Sequence, residues 1–286
     1  MQLTYIVKNL YYNSYNEILK DELKISNRLF QKLIKSNSIK INDCILNTKN
    51  KPNLNDKITI DFSYPEDNSN IVPKDIPFSI LYEDDWLLII SKPAGIAIHP
   101  SCLHFDDSIS NGIKYYFDNI NLKKKIRIVN RLDFGTSGIT IIAKCEYIQE
   151  FLINEMESNI FKKYYLCLVH GLLEKKQGII NLPIARTPGS IIERQVDFDN
   201  GKKAITHYKV LKEYENSSLI ECLLETGRTH QIRVHFSYLN HPLIGDSLYG
   251  KEVDRTKFQK LHCYKQEFIH PISRKKILIE DKPSWL

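Results

Sequence analysis

Short runs of branched apolar residues, separated by turn-forming residues, constrain the fold of this chain more than any other feature. Four such runs lie at 86–91, 138–144, 205–211 and 218–225. Their length and their content of Ile, Leu and Val are typical of buried strands. Fewer segments have helical spacing; in 146–160, apolar residues recur on one helix face. Because strands outnumber helices without regular alternation, we expect an α+β domain on a largely antiparallel mixed sheet.

A polar, proline-rich stretch over 63–77 divides the chain into two parts. It carries three prolines and a Glu-Asp-Asn-Ser-Asn run, a composition typical of linkers. We therefore predict a small α/β domain over 1–62 and a larger domain over 78–286.

The sequence pattern of the first part, residues 1–62, predicts a helix followed by short strands. Ser26 is a candidate N-cap, and the apolar face of the helix after it would carry Leu29, Leu33 and Ile34. The other side would carry Arg28, Lys32 and Lys35. By itself this pattern indicates a small domain with a solvated basic face. The order of a helix, I-x-I-N and N-D-x-I-x-I resembles the alpha-L RNA-binding motif of some ribosomal proteins and tyrosyl-tRNA synthetases, which implies RNA binding.

Charge and cysteine content exclude several classes of protein. The formal net charge is +6, which is too small to establish a nucleic-acid partner. No apolar run approaches ~18 residues, and the N-terminus lacks the features of a signal peptide, so we expect a cytoplasmic protein without a membrane span. The six cysteines contain no C-x-x-C pair, which favours reduced thiols over zinc or disulfide frameworks.

Two segments place polar residues beside glycines at strand ends. In the first, Lys92 precedes Pro-Ala-Gly at the end of a predicted strand; by itself this is a stiff turn. In the second, Arg131 and Asp133 precede a Gly-Thr-Ser-Gly turn, so the carboxylate is displayed in a loop. The alternative is an Asx turn, in which Asp133 bonds its own backbone.

A third segment gathers cationic residues at the start of a helix. Thr229 is the predicted N-cap of a helix that runs to Leu239. Arg228, His230, Gln231 and Arg233 would then cluster where a phosphate or carboxylate can bind, unless this is a helix start without a ligand. His230, His235 and His241 lack the spacing of metal-binding motifs, and nucleotide-cofactor motifs are absent from the sequence. We expect no metal and no cofactor.

Together these segments carry a family resemblance. S-K-P-A-G-x-x-x-H-P, then R-L-D-x-x-T-S-G, then T-G-R-T-H-Q-I-R-V-H and H-P-L-x-G-D-x-x-Y-G occur in this order. They resemble the RluA-type pseudouridine synthases over about residues 78–286. The resemblance implies a monomeric, cofactor-independent enzyme that isomerises uridine in RNA to pseudouridine, with ribosomal RNA of the large subunit favoured over transfer RNA.

The resemblance also implies roles for individual residues. Asp133 matches the catalytic aspartate, Tyr165 the tyrosine and Arg233 the ion-pairing arginine of the family. We expect contacts to RNA or to the uridine from Lys92, Arg131, Thr136, Arg228, His230, Gln231 and Ile232. One position departs from the family, because Asn130 stands where histidine is usual.

Three alternatives remain open from the sequence. The first is a transfer-RNA pseudouridine synthase. The second is a non-catalytic RNA-binding or ribosome-assembly protein that keeps the fold. The third is a glycoside hydrolase, which normally requires two carboxylates about the bond, whereas the motifs offer Asp133 with Asp246 in a later loop.

Overall fold

The computed structural model describes residues 1–45, 47–250 and 256–286. The helices are α1 Tyr15–Glu17, α2 Asn27–Lys35, α3 Ile109–Asn119, α4 Glu146–Glu157 and α5 Gln231–Tyr238, with a π-helical turn over Ile18–Glu22. The strands are β1 Gln2–Ile6, β2 Ile39–Ile41, β3 Lys57–Asp61, β4 Ser79–Glu83, β5 Leu87–Lys92, β6 Arg127–Ile128, β7 Ser137–Ala143, β8 Lys162–His170, β9 Gln177–Asn181, β10 Ile184–Arg186, β11 Arg194–Val196, β12 Ile205–Glu213, β13 Ser217–Leu224, β14 Leu261–Ile269 and β15 Lys276–Glu280.

One large mixed sheet dominates the molecule. Its strand order is β4-β5-β7-β14-β8-β13-β12-β9, with β15 beside β14 and β6 beside β7. The β7–β14 pair is parallel, whereas the other pairings described in this sheet are antiparallel. The predicted α+β class and largely antiparallel sheet are therefore confirmed. The four predicted strands correspond to β5, β7, β12 and β13 within two residues, and the helix predicted over 146–160 ends at Glu157.

The parallel contact brings two backbones unusually close together. Gly138 has φ of +113°, and a Cβ at this position would lie 2.3 Å from the carbonyl oxygen of Cys263. Only glycine combines this conformation with so close an approach. Gly138 thus joins β7 to β14 immediately after the loop that carries Asp133.

The N-terminal residues form a separate sheet, in the order β1-β3-β2. Ser26 caps α2 as predicted, and its hydroxyl accepts a hydrogen bond from the Leu29 N–H at 3.2 Å. The predicted apolar face is wrong at Ile34, which is 38% exposed, whereas Phe30 is buried. The buried face is centred on Leu29, Phe30 and Leu33, which leaves Ile34 beyond its edge.

Phe62, at the end of the N-terminal sheet, packs against the large domain. Its ring stacks on Tyr147 at 5.7 Å between centroids and meets Trp86 edge-on at 6.0 Å. All three side chains belong to one buried apolar cluster that extends through both sheets. The division at 62 and 77 remains a prediction, since this core is continuous across it.

The stretch over 63–77 contains no helix or strand, yet part of it is firmly held. Both Glu66 oxygens accept hydrogen bonds from Arg127, at 2.6 and 2.7 Å. Lys32 of α2 lies 3.3 Å from Glu66 and 2.9 Å from Glu146 of α4. We call Lys32, Glu66, Arg127 and Glu146 the junction network.

Within the described ranges, no helix has both the length and the apolar character needed to cross a membrane.

Candidate functional site

A cavity of about 900 Å³ opens beside the ends of β7 and β8, and the second and third motif segments supply much of its wall. Among the described residues that line it, Asp133 is the single acidic side chain. The lysines and arginines in its wall are Arg131, Lys163, Arg228, Arg233 and Lys257. The cavity therefore combines one carboxylate with a cationic lining, which suits a polyanionic ligand.

Asp133 is paired with a guanidinium that is itself clamped by a second carboxylate. Arg233 Nη1 donates to Asp133 Oδ2 at 3.3 Å. Arg233 Nε and Nη2 donate to the two oxygens of Asp246 at 2.7 and 2.8 Å, with the Asp246 side chain fully buried. Burial opposes the charge of Arg233, but the two carboxylates outweigh it and raise the pKa of Arg233. The site thus holds a permanent cation against a partly exposed carboxylate.

The loop between β6 and β7 presents Asp133 through backbone contacts. Asn130 donates from Nδ2 to the Ile139 carbonyl and accepts from the Ile141 N–H, both at 2.9 Å. The Thr136 N–H donates to the carbonyl of Asp133 at 3.0 Å. Asn130, which departs from the family pattern, therefore anchors this loop to β7, and its side chain is buried.

His230 lies on the other side of Asp133 in a strained conformation. Its φ of +59° is rare for a residue with a side chain. Its Nε2 is 3.9 Å from Asp133 Oδ2, and its Nδ1 is 2.8 Å from the Tyr249 hydroxyl. That hydroxyl also accepts the Arg194 N–H at 2.8 Å, so Tyr249 links His230 to the backbone of β11. Burial lowers the pKa of His230, against the opposing charge of Asp133.

Tyr165 of β8 lies on the cavity wall behind the carboxylate. It is buried, and it pairs in register with Cys222 and Cys263 on the flanking strands. Burial, and next the neighbouring Cys263, raise the pKa of Tyr165 well above its usual value. The hydroxyl therefore stays protonated at neutral pH, and the ring offers a flat surface to the cavity.

The three predicted arginines line one cavity, but they do not all contact Asp133. Arg131 and Arg228 both line it, while Arg233 alone among the described arginines contacts Asp133. Arg228 Nε donates to the Lys203 carbonyl at 3.0 Å. Ile232 and Thr136 are also in the wall.

Two predicted contact residues have side chains that bind other parts of the protein. Lys92 is fully buried, and its ammonium donates to the carbonyls of Pro93, Ile96 and Phe134. Burial lowers the pKa of Lys92 to about 7, opposed by Asp133. The side chain is thus enclosed by the backbone of the turns that it connects, and the RNA contact expected of Lys92 stays a prediction.

The side-chain amide of Gln231 is likewise committed to the protein. It donates to the Ile205 carbonyl and to Thr206 Oγ1, both at 2.9 Å, and accepts from Thr226 Oγ1 and the Arg228 N–H. Gln231 lies in the cavity wall, and the RNA contact expected of it stays a prediction. The N-cap prediction is wrong, because His230 rather than Thr229 precedes α5 and makes no side-chain cap bond.

Sequence reasoning missed the functions of Asp246 and Tyr249. Both belong to the motif H-P-L-x-G-D-x-x-Y-G. The motif marks the two residues, but it does not indicate which side chains they contact. Asp246 clamps Arg233, and Tyr249 orients His230 while its ring lies 5.0 Å from the Arg233 guanidinium carbon. Both residues hold side chains that face Asp133.

Comparisons with known proteins agree with this geometry. Residues 86–238 match the family model described as RNA pseudouridylate synthase. An "Uncharacterized RNA pseudouridine synthase YjbO" of Bacillus subtilis (strain 168) is 36% identical over 254 residues, covering 88% of this chain and 89% of that protein. A "Ribosomal large subunit pseudouridine synthase D" of Nitrosomonas europaea is 40% identical over 214 residues, covering 72% of this chain and 62% of that protein.

A solved structure shares the fold. The chain superimposes on "Human RNA Pseudouridylate Synthase Domain Containing 1" with a TM-score of 0.62 and 24% identity, over 74% of this chain and 86% of that one.

Proposed function

Because the chain belongs to the RNA pseudouridylate synthase family and is an RNA pseudouridine synthase, we propose that it modifies specific uridines of large-subunit ribosomal RNA with Asp133 as its catalytic carboxylate. The observation that carries this assignment is the pairing of Asp133 with Arg233 in a cavity where it is the one acidic side chain among the described lining residues.

The reaction is an isomerisation and needs no external redox partner. The bond from uracil N1 to the ribose C1′ breaks, a bond from C5 to C1′ forms, and the hydrogen of C5 leaves while N1 gains one. A carboxylate serves this chemistry in two ways: it attacks as a nucleophile, or it removes a sugar proton to give a glycal. Both routes use the carboxylate of Asp133, whose Oδ2 accepts a hydrogen bond from Arg233 Nη1.

The remaining residues divide into holding and shaping roles. We assign Arg233 to the electrostatic support and alignment of Asp133. Tyr165 and Ile232 form the surface against which the uracil packs. Tyr165 also takes part in removing the C5 proton. Because its raised pKa keeps the hydroxyl protonated, the phenolic proton passes to solvent water as the oxygen accepts the C5 proton, and solvent supplies the hydrogen that N1 gains. The target base must leave its stack to reach this cavity, and exposed Arg131 at the wall is placed to fill the vacated space or hold a phosphate.

The proposed RNA target rests on relatives and on the N-terminal part. Several relatives are named ribosomal large subunit pseudouridine synthase D. Arg28, Lys32 and Lys35 share one surface of α2, as a phosphate-binding face requires. Lys32 also forms an ion pair with Glu146 in the junction network. A transfer-RNA target is the alternative, and mapping of pseudouridine in cellular RNA distinguishes the two.

Release of tritium from RNA labelled at uridine C5 tests the catalytic assignment. We expect Asp133→Asn to reduce release by at least about 1000-fold, because removal of a reacting group has effects of this order or larger. RNA affinity should remain near wild type, since the side-chain volume is kept. Asp199→Asn, at an exposed turn, is the matched control and should release tritium normally. Full turnover by Asp133→Asn would contradict the assignment.

A further inference from the structure

Three aromatic rings contact one another beside the cavity, and two of them, Phe134 and Phe258, belong to its wall. The Phe134 ring stacks on His104, with centroids 5.1 Å apart and planes at 29°, and meets Phe258 edge-on at 5.8 Å. Phe134 nevertheless remains 43% exposed. We call Phe134, His104 and Phe258 the aromatic ledge.

The aromatic ledge is continuous with the catalytic site. Phe134 directly follows Asp133 in the chain, and both Phe134 and Phe258 line the same cavity as the carboxylate. A base next to the target uridine in the RNA chain would therefore lie within reach of the ledge when the uridine occupies the space at Asp133.

The ledge is held rigidly by the main chain beneath it. The Phe134 carbonyl accepts the Gly95 N–H at 2.8 Å and the Lys92 ammonium at 3.3 Å. Gly95 has φ of +81°, and a Cβ there would lie 2.4 Å from the Phe258 ring. Because the rings are positioned before any ligand arrives, little ordering cost opposes binding to them.

Asp107 contacts the His104 end of the ledge, 3.1 Å from Nδ1, whereas the cavity side carries cations, and these favour a nucleotide over an apolar peptide as the occupant. Lys257 Nζ lies 5.4 Å from the Phe258 ring centroid, and exposed Arg131 lines the cavity beside the same loop. An aromatic face next to cations matches a base joined to a phosphate, and base stacking on aromatic side chains is tolerant of sequence.

We propose that the aromatic ledge is a second nucleobase site, which stacks a base adjacent to the target uridine and so helps to select the RNA. This inference rests on the proposed function, since it places the target uridine at Asp133. Recognition occurs through stacking area rather than through a hydrogen-bond pattern on the base edge.

Pairing protein variants with abasic RNA tests the ledge. The probe is a stem–loop RNA with one loop uridine, in which the 5′ or the 3′ neighbour is intact or abasic. We expect Phe134→Ala to raise KM about 10-fold on intact RNA, and Phe134→Trp to keep wild-type KM. Removing the neighbouring base on one side should raise the KM of wild type by a similar factor. The same removal should not raise the KM of Phe134→Ala any further.

Further arms keep this test separate from the catalytic assignment. The same series is measured as RNA affinity in an Asp133→Asn background, so that it does not depend on turnover. Phe198→Ala removes an exposed phenylalanine that is not among the described cavity-lining residues and should bind like its parent. Equal losses for Phe134→Ala on intact and both abasic RNAs, or an equal loss for Phe198→Ala, would overturn the proposal. If the effect of Phe134→Ala on RNA affinity depends on the neighbouring base as expected, but wild type does not turn over the RNA, the proposed function is overturned instead.

Discussion

Asp246 holds the guanidinium of Arg233 that faces the Asp133 carboxylate. Two of its hydrogen bonds hold the guanidinium, and Oδ1 also accepts the N–H groups of Leu248 and Tyr249 at 3.0 and 3.1 Å. Burial raises the pKa of Asp246, but Arg233 outweighs it and holds that pKa below its usual value. Asp246 is thus a positioning residue that acts through Arg233.

Asp246→Asn should lower kcat by on the order of 100-fold while leaving KM for RNA nearly unchanged. The amide keeps the shape but accepts through one oxygen, so Arg233 loses a bond and its alignment with Asp133, and small misplacements at a reacting group have effects of this size. Single-turnover rates, measured below the unfolding temperature, separate the effect on kcat from the effect on KM. Circular dichroism verifies that the variant is folded. A larger change in KM than in kcat would contradict the positioning role.

At the residue scale, the motifs located the side chains that the fold brings to one cavity. Asp133, Tyr165 and Arg233 lie in the described cavity wall, and their roles remain proposals. The burial of Lys92 and Gln231 was not predictable, because it depends on turns and strands distant in sequence. The clamp by Asp246 was not predictable from spacing, since it depends on how the loop after α5 folds back on that helix.

At the scale of elements, the junction network joins α2, the 63–77 stretch, β6 and α4. Burial raises the pKa of Glu66, but hydrogen bonds and charge from Arg127 outweigh it and hold that pKa to about 2. Tyr64 lies between two ammonium groups, with Lys32 and Lys124 each 4.5 Å from its ring centroid. The network therefore ties the N-terminal sheet to the large domain.

Glu66→Gln should lower the free energy of unfolding by about 3 kcal/mol at pH 7, because it leaves a buried guanidinium poorly paired. Since the folded pKa of Glu66 is depressed, its contribution is present above its ordinary value of 4.5 and is lost as pH falls towards about 2. Urea denaturation across this range should show the difference from wild type shrinking.

Asp43→Asn is the matched control for that series. It removes an exposed pair with Lys57 and should change stability by less than about 1 kcal/mol. A difference for Glu66→Gln that is constant from pH 7 to pH 3 would contradict the role of the ionised carboxylate.

Element prediction from the sequence was good for strands and poorer for helix ends. Branched runs identified β5 and β7, whose burial on both faces leaves a continuous apolar signal. They also identified β12 and β13, which are less completely buried. The start of α5 was misplaced because His230 adopts a left-handed conformation that no residue type indicates. The parallel β7–β14 contact depends on a long-range pairing for which Gly138 was the sole local sign.

At the scale of the whole molecule, the position of the charge is more informative than its total. The net +6 is modest, yet five described lysines and arginines line the cavity around Asp133. The α2 surface with Arg28 and Lys35 provides a second basic region on the N-terminal part. We therefore expect an RNA that extends beyond the target uridine to contact both regions.

Mapping of pseudouridine in cellular RNA tests both the proposed RNA target and the role of Asp133. Cells that lack this protein are compared with the same cells supplied with wild type or Asp133→Asn, and pseudouridines are located by carbodiimide modification and primer extension. We predict that one or more sites in large-subunit ribosomal RNA disappear, return with wild type and do not return with Asp133→Asn. Loss of sites only in transfer RNA would contradict the ribosomal target, and restoration by Asp133→Asn would contradict the catalytic carboxylate.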